Sequence, residues 1–76
     1  MIGIAVIGYG YWGPNLVRNF VLNEDARVVA VCDFSADRRA VVERLYPTVT
    51  TYADVGEMLA NDDVDAVVIA TPVSSS

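Results

Sequence analysis

Three glycines stand close together near the start of the chain, at positions 8, 10 and 13, within the segment VIGYGYWGP. Their G-x-G-x-x-G spacing is weak evidence alone, but here it follows a strand-like run and opens a helix-like run. In that context Gly8 allows a sharp turn, Gly10 lets a pyrophosphate approach the backbone, and Gly13 lets the helix pack closely against the sheet. The free N–H groups at the helix start then face the phosphates. The segment therefore predicts a site for the diphosphate of a dinucleotide.

An acidic residue stands at the distance that this kind of site requires. Asp33 lies 20 residues beyond Gly13 (33 − 13), just after a second strand-like run. A carboxylate there can accept hydrogen bonds from both hydroxyls of an adenosine ribose and repels a 2′-phosphate, which favours NAD over NADP. Ser35, Arg38 and Arg39 follow, and an arginine can accommodate a 2′-phosphate, so NADP remains possible. Two plainer interpretations stay open: the glycines form the turn of a protein that binds no dinucleotide, and Asp33 only caps a turn.

Aromatic side chains accompany both motifs. Tyr11 and Trp12 either line the phosphate and nicotinamide side of the site or pack, like Tyr9, on the first helix or on a partner domain. Phe34 is expected to flank the adenine. In the alternative interpretation, its side chain covers the adjacent helix.

Composition excludes several classes of function. The chain has 10 acidic and 5 basic residues, one cysteine and no histidine, for a formal net charge of −5. This balance disfavours a nucleic-acid partner, although backbone amides can still hold one nucleotide. Without histidine the commonest general base and the commonest zinc ligand are missing, and neither a catalytic residue nor a metal site is predicted. Cys32 cannot form an internal disulfide, no run approaches a membrane span of roughly 18 residues, and no signal peptide is recognisable, so we expect a cytoplasmic protein without a membrane partner.

Strand-like and helix-like runs alternate along the chain. The runs IGIAVIG, RVVAVC and VDAVVIA are apolar on both faces, which is typical of buried parallel strands. Ser35 and Asp54 are plausible N-caps of the second and third helices. We predict strands at residues 2–7, 27–32, 48–51 and 65–70, and helices at 14–22, at 36–45 and from the Asp54 cap to about residue 60.

This βαβαβαβ order predicts a single α/β unit. Strands that alternate with helices form a parallel sheet with helices on both sides, and right-handed crossovers give the strand order 3-2-1-4. We therefore predict a partial, Rossmann-type doubly wound parallel sheet. A chain of 76 residues fits one small domain or part of a larger one.

These motifs together resemble the amino-terminal part of the Gfo/Idh/MocA family of NAD(P)-dependent oxidoreductases, in its nucleotide-sugar branch. The similarity covers essentially all 76 residues. The segment VIGYGYWGPNLVRNF looks like the family's opening, and VVAVCDFSADR resembles the second strand with its ribose-binding acid. The segments YADVGEML and DVDAVVIATPVSS resemble the third helix and the following strand and loop, and the last of them is the most family-specific.

The resemblance implies roles for particular residues. Arg38 matches an arginine beside the adenosine, and Thr71 and Pro72 match the loop under the nicotinamide end. A family histidine is expected where this chain has Ser76, and the family's catalytic lysine and downstream histidine would lie beyond that residue. With the residues argued above, the predicted cofactor-binding set is Gly8, Gly10, Tyr11, Trp12, Gly13, Asp33, Phe34, Ser35, Arg38, Thr71 and Pro72.

The resemblance further implies that residues 1–76 are the N-terminal part of a dinucleotide-binding domain, with a C-terminal substrate domain absent from this chain. It also implies a function for the parent protein. It would be a two-domain homo-oligomeric enzyme that transfers a hydride between NAD, or NADP, and a sugar or nucleotide-sugar hydroxyl, and this chain alone would be inactive. One alternative is a non-catalytic NAD-sensing or regulatory module. Another is a structural piece whose exposed strand edge recruits a partner, and we expect self-association through residues 65–70 because a long apolar edge strand invites pairing.

Overall fold

A computed structural model describes residues 1–10 and 13–70 of the chain. Helices and strands alternate throughout this part, as the sequence predicts. In chain order the elements are β1 (Ile2–Ile7), α1 (Gly13–Val21), β2 (Ala26–Cys32), α2 (Ala36–Leu45), β3 (Thr50–Tyr52), α3 (Val55–Leu59) and β4 (Ala66–Ile69).

The four strands form one parallel sheet in the order β3-β2-β1-β4. This confirms the predicted doubly wound α/β fold and the predicted strand order. Parallel strands end at the same edge of the sheet, so the loops that follow β1, β2 and β4 meet there. That edge is where open α/β sheets bind their ligands.

Helices cover the two faces of the sheet unequally. Helices α1 and α2 pack on one face, against β1, β2 and β3, while the short α3 packs on the other face against β2 and β3. Each face has its own apolar cluster. The first is built around Ile4, Val6, Tyr9, Val17, Val28, Val31, Val42, Val49 and Ala70, and the second around Ala5, Val29, Ala30, Cys32 and Met58.

A register shift in β2 sets which of its residues face each layer. Ile4 is the partner of Val28, but Ala5 is the partner of Ala30, so Val29 is an extra residue. Val29 and Ala30 consequently both belong to the cluster under α3. Beyond the shift the strands run in register to Ile7 and Cys32, which places the loops after β1 and β2 side by side.

The first helix differs from its prediction by one residue at each end. It begins at Gly13 rather than Pro14 and ends at Val21 rather than Leu22. The apolar residues Leu16, Val17, Phe20 and Val21 recur at the spacing of one helix face. Val17 is fully buried, and Leu16 and Phe20 pack against the same cluster, while Val21 is 47% exposed.

Both predicted helix caps are present. The Ser35 hydroxyl accepts a hydrogen bond from the N–H of Arg38, and the Asp54 carboxylate accepts one from the N–H of Glu57. Each cap satisfies a donor that a helix start leaves without a partner. The second helix has the predicted bounds. The third strand lies at Thr50–Tyr52 rather than at residues 48–51, because a turn closed by Val49 N–H on Tyr46 O precedes it.

Strand β4 forms one edge of the described sheet. Val67 is 39% exposed and Ile69 is 68% exposed, although the apolar run predicted a buried strand. Their register partners Ala5 and Ile7 belong to the α3 side of the sheet, and α3 itself lies over β2 and β3. In residues 1–10 and 13–70, no helix has the length and apolar character needed to cross a membrane.

Candidate functional site

The glycine loop begins with a backbone turn that only glycine adopts readily. Gly8 directly follows β1 and has a φ of 90°, in the region that a Cβ disfavours. Its N–H donates a hydrogen bond of 2.7 Å to the carbonyl oxygen of Cys32 at the end of β2. The turn therefore starts while the chain is still paired with the neighbouring strand, and this confirms the sharp turn predicted at Gly8.

Gly13 returns the chain to within contact of that turn. A Cβ on Gly13 would overlap the carbonyl oxygen of Gly8, and it would lie 3.4 Å from the Cβ of Tyr9. The helix start thus packs directly on the loop backbone. This close approach is the reason that the sequence pattern gives for the third glycine.

Asp33 connects the glycine loop to the loop after β2. Its Oδ2 accepts a hydrogen bond of 2.8 Å from the N–H of Tyr9, and its Oδ1 accepts one of 2.8 Å from the N–H of Ser35. The side chain is only 8% exposed. The carboxylate therefore lies between the loops that follow β1 and β2, and it bonds the backbone of both.

The hydrogen bonds to Asp33 leave acceptor capacity for a ligand. An ionised carboxylate has about four lone-pair positions, and the two N–H donors use two of them. The backbone N–H of Asp33 is also satisfied, by the carbonyl oxygen of Tyr52 at 3.0 Å. Asp33 does cap a turn, as one alternative states, through its bond with the N–H of Ser35. The same carboxylate also bonds the glycine loop, so capping is not its whole role.

The guanidinium of Arg38 lies between the glycine loop and Asp33. Its Nη1 is 4.0 Å from Oδ2 of Asp33. A Cβ built on Gly10 would lie 2.5 Å from that Nη1 and 2.7 Å from the guanidinium carbon. The guanidinium consequently fills the space beside Gly10 that the missing side chain leaves, and it stands between this glycine and the carboxylate.

Arg39 has a different role from its neighbour. Its Nη1 donates hydrogen bonds to the carbonyl oxygens of Asp33 at 2.7 Å and Phe34 at 3.0 Å. The guanidinium thereby holds the backbone of the loop that carries the acid. Of the two arginines considered for a 2′-phosphate, Arg39 is engaged by the chain itself, and Arg38 is the one with a largely exposed side chain, at 57%.

The remaining predicted aromatic residues separate into two groups. Phe34 is 90% exposed beside the site and does not cover the adjacent helix. Tyr9 is buried in the cluster under α1, as the packing alternative states, and burial raises the pKa of its hydroxyl above the ordinary 10.0, with Tyr46 adding to the rise. The predicted site residues Tyr11, Trp12, Thr71 and Pro72 lie outside the described residues.

Cys32 is buried at the end of β2, as the sequence predicts. Burial raises the pKa of its thiol above the ordinary 9.0, the carboxylates of Asp54 and Asp33 raise it further, and Arg39 opposes them. A thiol held in its protonated form is a poor nucleophile. Within residues 1–10 and 13–70, no cluster of acidic and cysteine side chains could hold a metal ion.

Two hydrogen-bond donors of this site, the Tyr9 N–H and the Arg39 guanidinium, were not predicted in these roles from the sequence. The Tyr9 N–H is a backbone group that every residue except proline has, so nothing in the residue type marks it as a partner of Asp33. The sequence predicted Arg39 only as a possible neighbour of a 2′-phosphate, and not as a donor to the loop carbonyls. Its position one turn inside α2, where an arginine reaches back to the loop carbonyls, is the signal that could have identified it.

Comparison with known proteins agrees with this geometry. The model of the Gfo/Idh/MocA oxidoreductase family, described as having an NAD-binding Rossmann fold, matches residues 2–75. The chain belongs to this family. The match covers the glycine loop, the acid after β2 and the edge strand together, so NAD is the cofactor class of this fold.

Two relatives carry names that describe different reactions. The chain is 38% identical over 71 residues to the 2,7-anhydro-N-acetylneuraminate hydratase of Mediterraneibacter gnavus, and the alignment covers 93% of this chain and 18% of the relative. It is 39% identical over 74 residues to the inositol 2-dehydrogenase 1 of Mycolicibacterium vanbaalenii, covering 93% of this chain and 21% of the relative.

The fold is also similar to a solved structure with ligands. The WlbA dehydrogenase of Bordetella pertussis, solved in complex with NADH and UDP-GlcNAcA, superposes with a TM-score of 0.83 at 26% identity, over 93% of this chain and 22% of that chain. The chain thus spans about a fifth of the length of each of these three proteins.

The described residues fit the cofactor that the family implies. Gly8 and Gly13 hold the helix start against the loop, and Gly10 carries no side chain where a phosphate would approach the backbone. Asp33 is a buried carboxylate with acceptor positions left for hydroxyl groups. Backbone N–H groups can hold a diphosphate without a cationic side chain, which reconciles an acidic chain with an anionic ligand.

Proposed function

We propose that this chain is the N-terminal, NAD-binding part of a larger oxidoreductase, and that its glycine loop holds the diphosphate while Asp33 holds the adenosine ribose. The observation that carries the proposal is the hydrogen bond between Asp33 and the Tyr9 N–H of the glycine loop. It joins the two motifs across β1 and β2, at the carboxyl edge of the sheet, where this fold class binds nucleotides.

The same geometry supports NAD over NADP. Two backbone N–H groups hold the Asp33 carboxylate in place, so it cannot turn aside to admit a 2′-phosphate without leaving both donors unsatisfied. Arg39, which could have paired with such a phosphate, donates instead to two carbonyl oxygens of the loop. Arg38 is the remaining cation near the site, so some NADP binding is compatible with this arrangement.

For the parent enzyme we propose hydride transfer between a nicotinamide and a hydroxyl-bearing carbon of a sugar, an inositol or a nucleotide sugar. The relatives named as an inositol dehydrogenase and as a dehydrogenase bound to UDP-GlcNAcA support this substrate class. NAD, when bound, supplies the hydride acceptor of the reaction. The described residues of this chain would bind and orient the adenosine half, and proton transfer at the substrate would fall to residues beyond this chain. The homo-oligomeric state and the cytoplasmic location remain predictions.

The cofactor assignment is tested by titrating NAD and NADP into the full-length gene product by calorimetry. Asp33→Ser removes the carboxylate, and we expect the preference for NAD over NADP to fall about tenfold or more, since hydrogen bonds to a charged group contribute about 1.5–3 kcal/mol. Asp37→Asn removes an equal charge from an exposed position on α2 and serves as the control. An unchanged preference in Asp33→Ser would contradict the assigned role of the acid.

The substrate class is tested separately, by following reduction of NAD with a panel of inositols, free sugars and UDP-sugars. Turnover of one of these classes by the full-length product would support the proposal. NAD binding without turnover of any would place the protein among NAD-binding members that act otherwise, including a non-catalytic sensor. Turnover by residues 1–76 alone would show that catalytic groups lie in this chain and would contradict the division of labour proposed here.

A further inference from the structure

The position of Arg38 has a consequence for how a dinucleotide enters the proposed site. The guanidinium lies within 4.0 Å of Asp33 Oδ2 and occupies the side-chain space of Gly10. The proposed function requires the ribose to reach the first of these groups and a phosphate to approach the second. One guanidinium therefore lies in the space that two parts of the ligand need.

We propose that Arg38 gates the dinucleotide site, so that its guanidinium must leave Gly10 and Asp33 before NAD can bind. This inference rests on the proposed function. The side chain is suited to such movement because it is 57% exposed and its backbone is fixed in the first turn of α2, where its N–H bonds to Ser35. Only the flexible part of the residue would move, and the loop would keep its shape.

The neighbouring arginine shows why the gate is Arg38 and not both residues. Arg39 donates two hydrogen bonds of 2.7 and 3.0 Å to loop carbonyls, so moving it would leave carbonyl oxygens without donors. Arg38 has one ion pair at 4.0 Å to a carboxylate that already accepts two N–H bonds. At 4.0 Å, and with the guanidinium end of the pair 57% exposed, this contact is weak and is partly screened by salt. The gate is thus closed by a small free energy that a ligand can overcome.

The gate predicts an effect on the rate of binding. In Arg38→Met the space beside Gly10 is open, and we expect the association rate constant of NAD to rise about two- to fivefold, the range given by a weak ion pair. Removing a cation also weakens attraction of an anionic ligand, so Arg44→Met, in the last turn of the same helix, is the matched control for charge. The comparison of the two variants isolates the local effect of Arg38.

Salt provides a second signature of the same contact. Because salt screens the ion pair with Asp33, raising the salt concentration should bring the wild-type association rate toward that of Arg38→Met, beyond the change seen in Arg44→Met. Both rates are measured by stopped-flow quenching of intrinsic fluorescence in the full-length gene product. Crystals of that product before and after soaking with NAD supply the direct observation, in which the guanidinium should lie beside Gly10 before soaking and away from it afterwards.

The possible outcomes separate the gate from the function on which it rests. A wild-type protein that binds no dinucleotide overturns both. A protein that binds NAD while Arg38→Met associates no faster than Arg44→Met overturns the gate alone, and so does an NAD complex in which the guanidinium remains beside Gly10. A slower association in Arg38→Met than in Arg44→Met would assign Arg38 to attracting or contacting the ligand and would also contradict gating.

Discussion

Replacing Asp33 by asparagine tests whether this residue builds the site or only contacts a ligand. The carboxylate accepts one hydrogen bond at each oxygen, from Tyr9 and from Ser35, and its side chain is 8% exposed. An asparagine has one acceptor oxygen and one NH₂ group, so it can serve only one of these two N–H donors. The NH₂ group would face the other donor, and no rotation of the side chain relieves both contacts.

The magnitude of this change follows from the burial of the two bonds. The bond to Tyr9 is buried and the bond to Ser35 is partly buried, so the amide oxygen should keep Tyr9 and turn its NH₂ toward Ser35. An unsatisfied buried donor costs about 1–3 kcal/mol, and partial access of water to Ser35 places this case in the lower half, at about 1–2 kcal/mol. Asp33→Ala leaves both donors unsatisfied and should cost about twice as much.

The assay is urea unfolding of the ligand-free chain, with the free energy of unfolding extrapolated to water. The control is Asp62→Asn, which makes the same chemical change at an exposed turn position. We expect the order of stability to be wild type and Asp62→Asn, then Asp33→Asn, then Asp33→Ala. If Asp33→Asn is as stable as Asp62→Asn, the two hydrogen bonds do not hold the loops together, and the structural half of the argument fails.

Three further predictions follow from other contacts. In Gly13→Ala the new Cβ would overlap the carbonyl oxygen of Gly8, and because that atom is backbone we expect about 1–3 kcal/mol of destabilisation by urea unfolding, whereas wild-type stability would contradict the close approach. The pKa of the Cys32 thiol is raised in the folded protein, so its contribution to stability is complete below the ordinary value of 9.0 and is lost as the pH rises through the higher folded-state value. The free energy of unfolding should therefore fall above pH 9.0, and it should fall less in Cys32→Ala. Equal pH profiles for the two proteins would refute this. Ile69→Lys places a charge on the exposed face of edge strand β4 and should reduce self-association in sedimentation experiments at unchanged stability, while a wild-type chain that is monomeric at high concentration would remove the predicted association itself.

Much of the fold could be predicted because its signals are local. The two-faced apolar runs predict β1 and β2 to within one residue, and the cap residues predict the starts of α2 and α3. The strand order followed from the handedness of crossovers, which holds for parallel strands whatever their sequence. The predicted third strand was displaced because its position depends on the turn at Tyr46, and turns of this kind have a weak sequence signal.

The exposure of single side chains was harder to predict than the elements that carry them. Val21 continues the apolar period of α1 but is 47% exposed, and Ile69 has the pattern of a buried residue but lies on a face that α3 does not cover. Periodicity identifies which residues share a face. Whether a neighbouring element covers that face depends on the lengths and positions of elements distant in the sequence.

For the candidate site, the sequence by itself determined the residue types and their order: three glycines after a strand, and an acid after the next strand. These follow from local requirements of turn geometry and hydrogen bonding, which residue spacing reports directly. Only the tertiary structure decided that Asp33 bonds Tyr9 across the two strands and that Arg38 lies beside Gly10. The reason is that these contacts depend on the register of β1 with β2, including the extra residue at Val29, and register is fixed by the packing of the whole sheet.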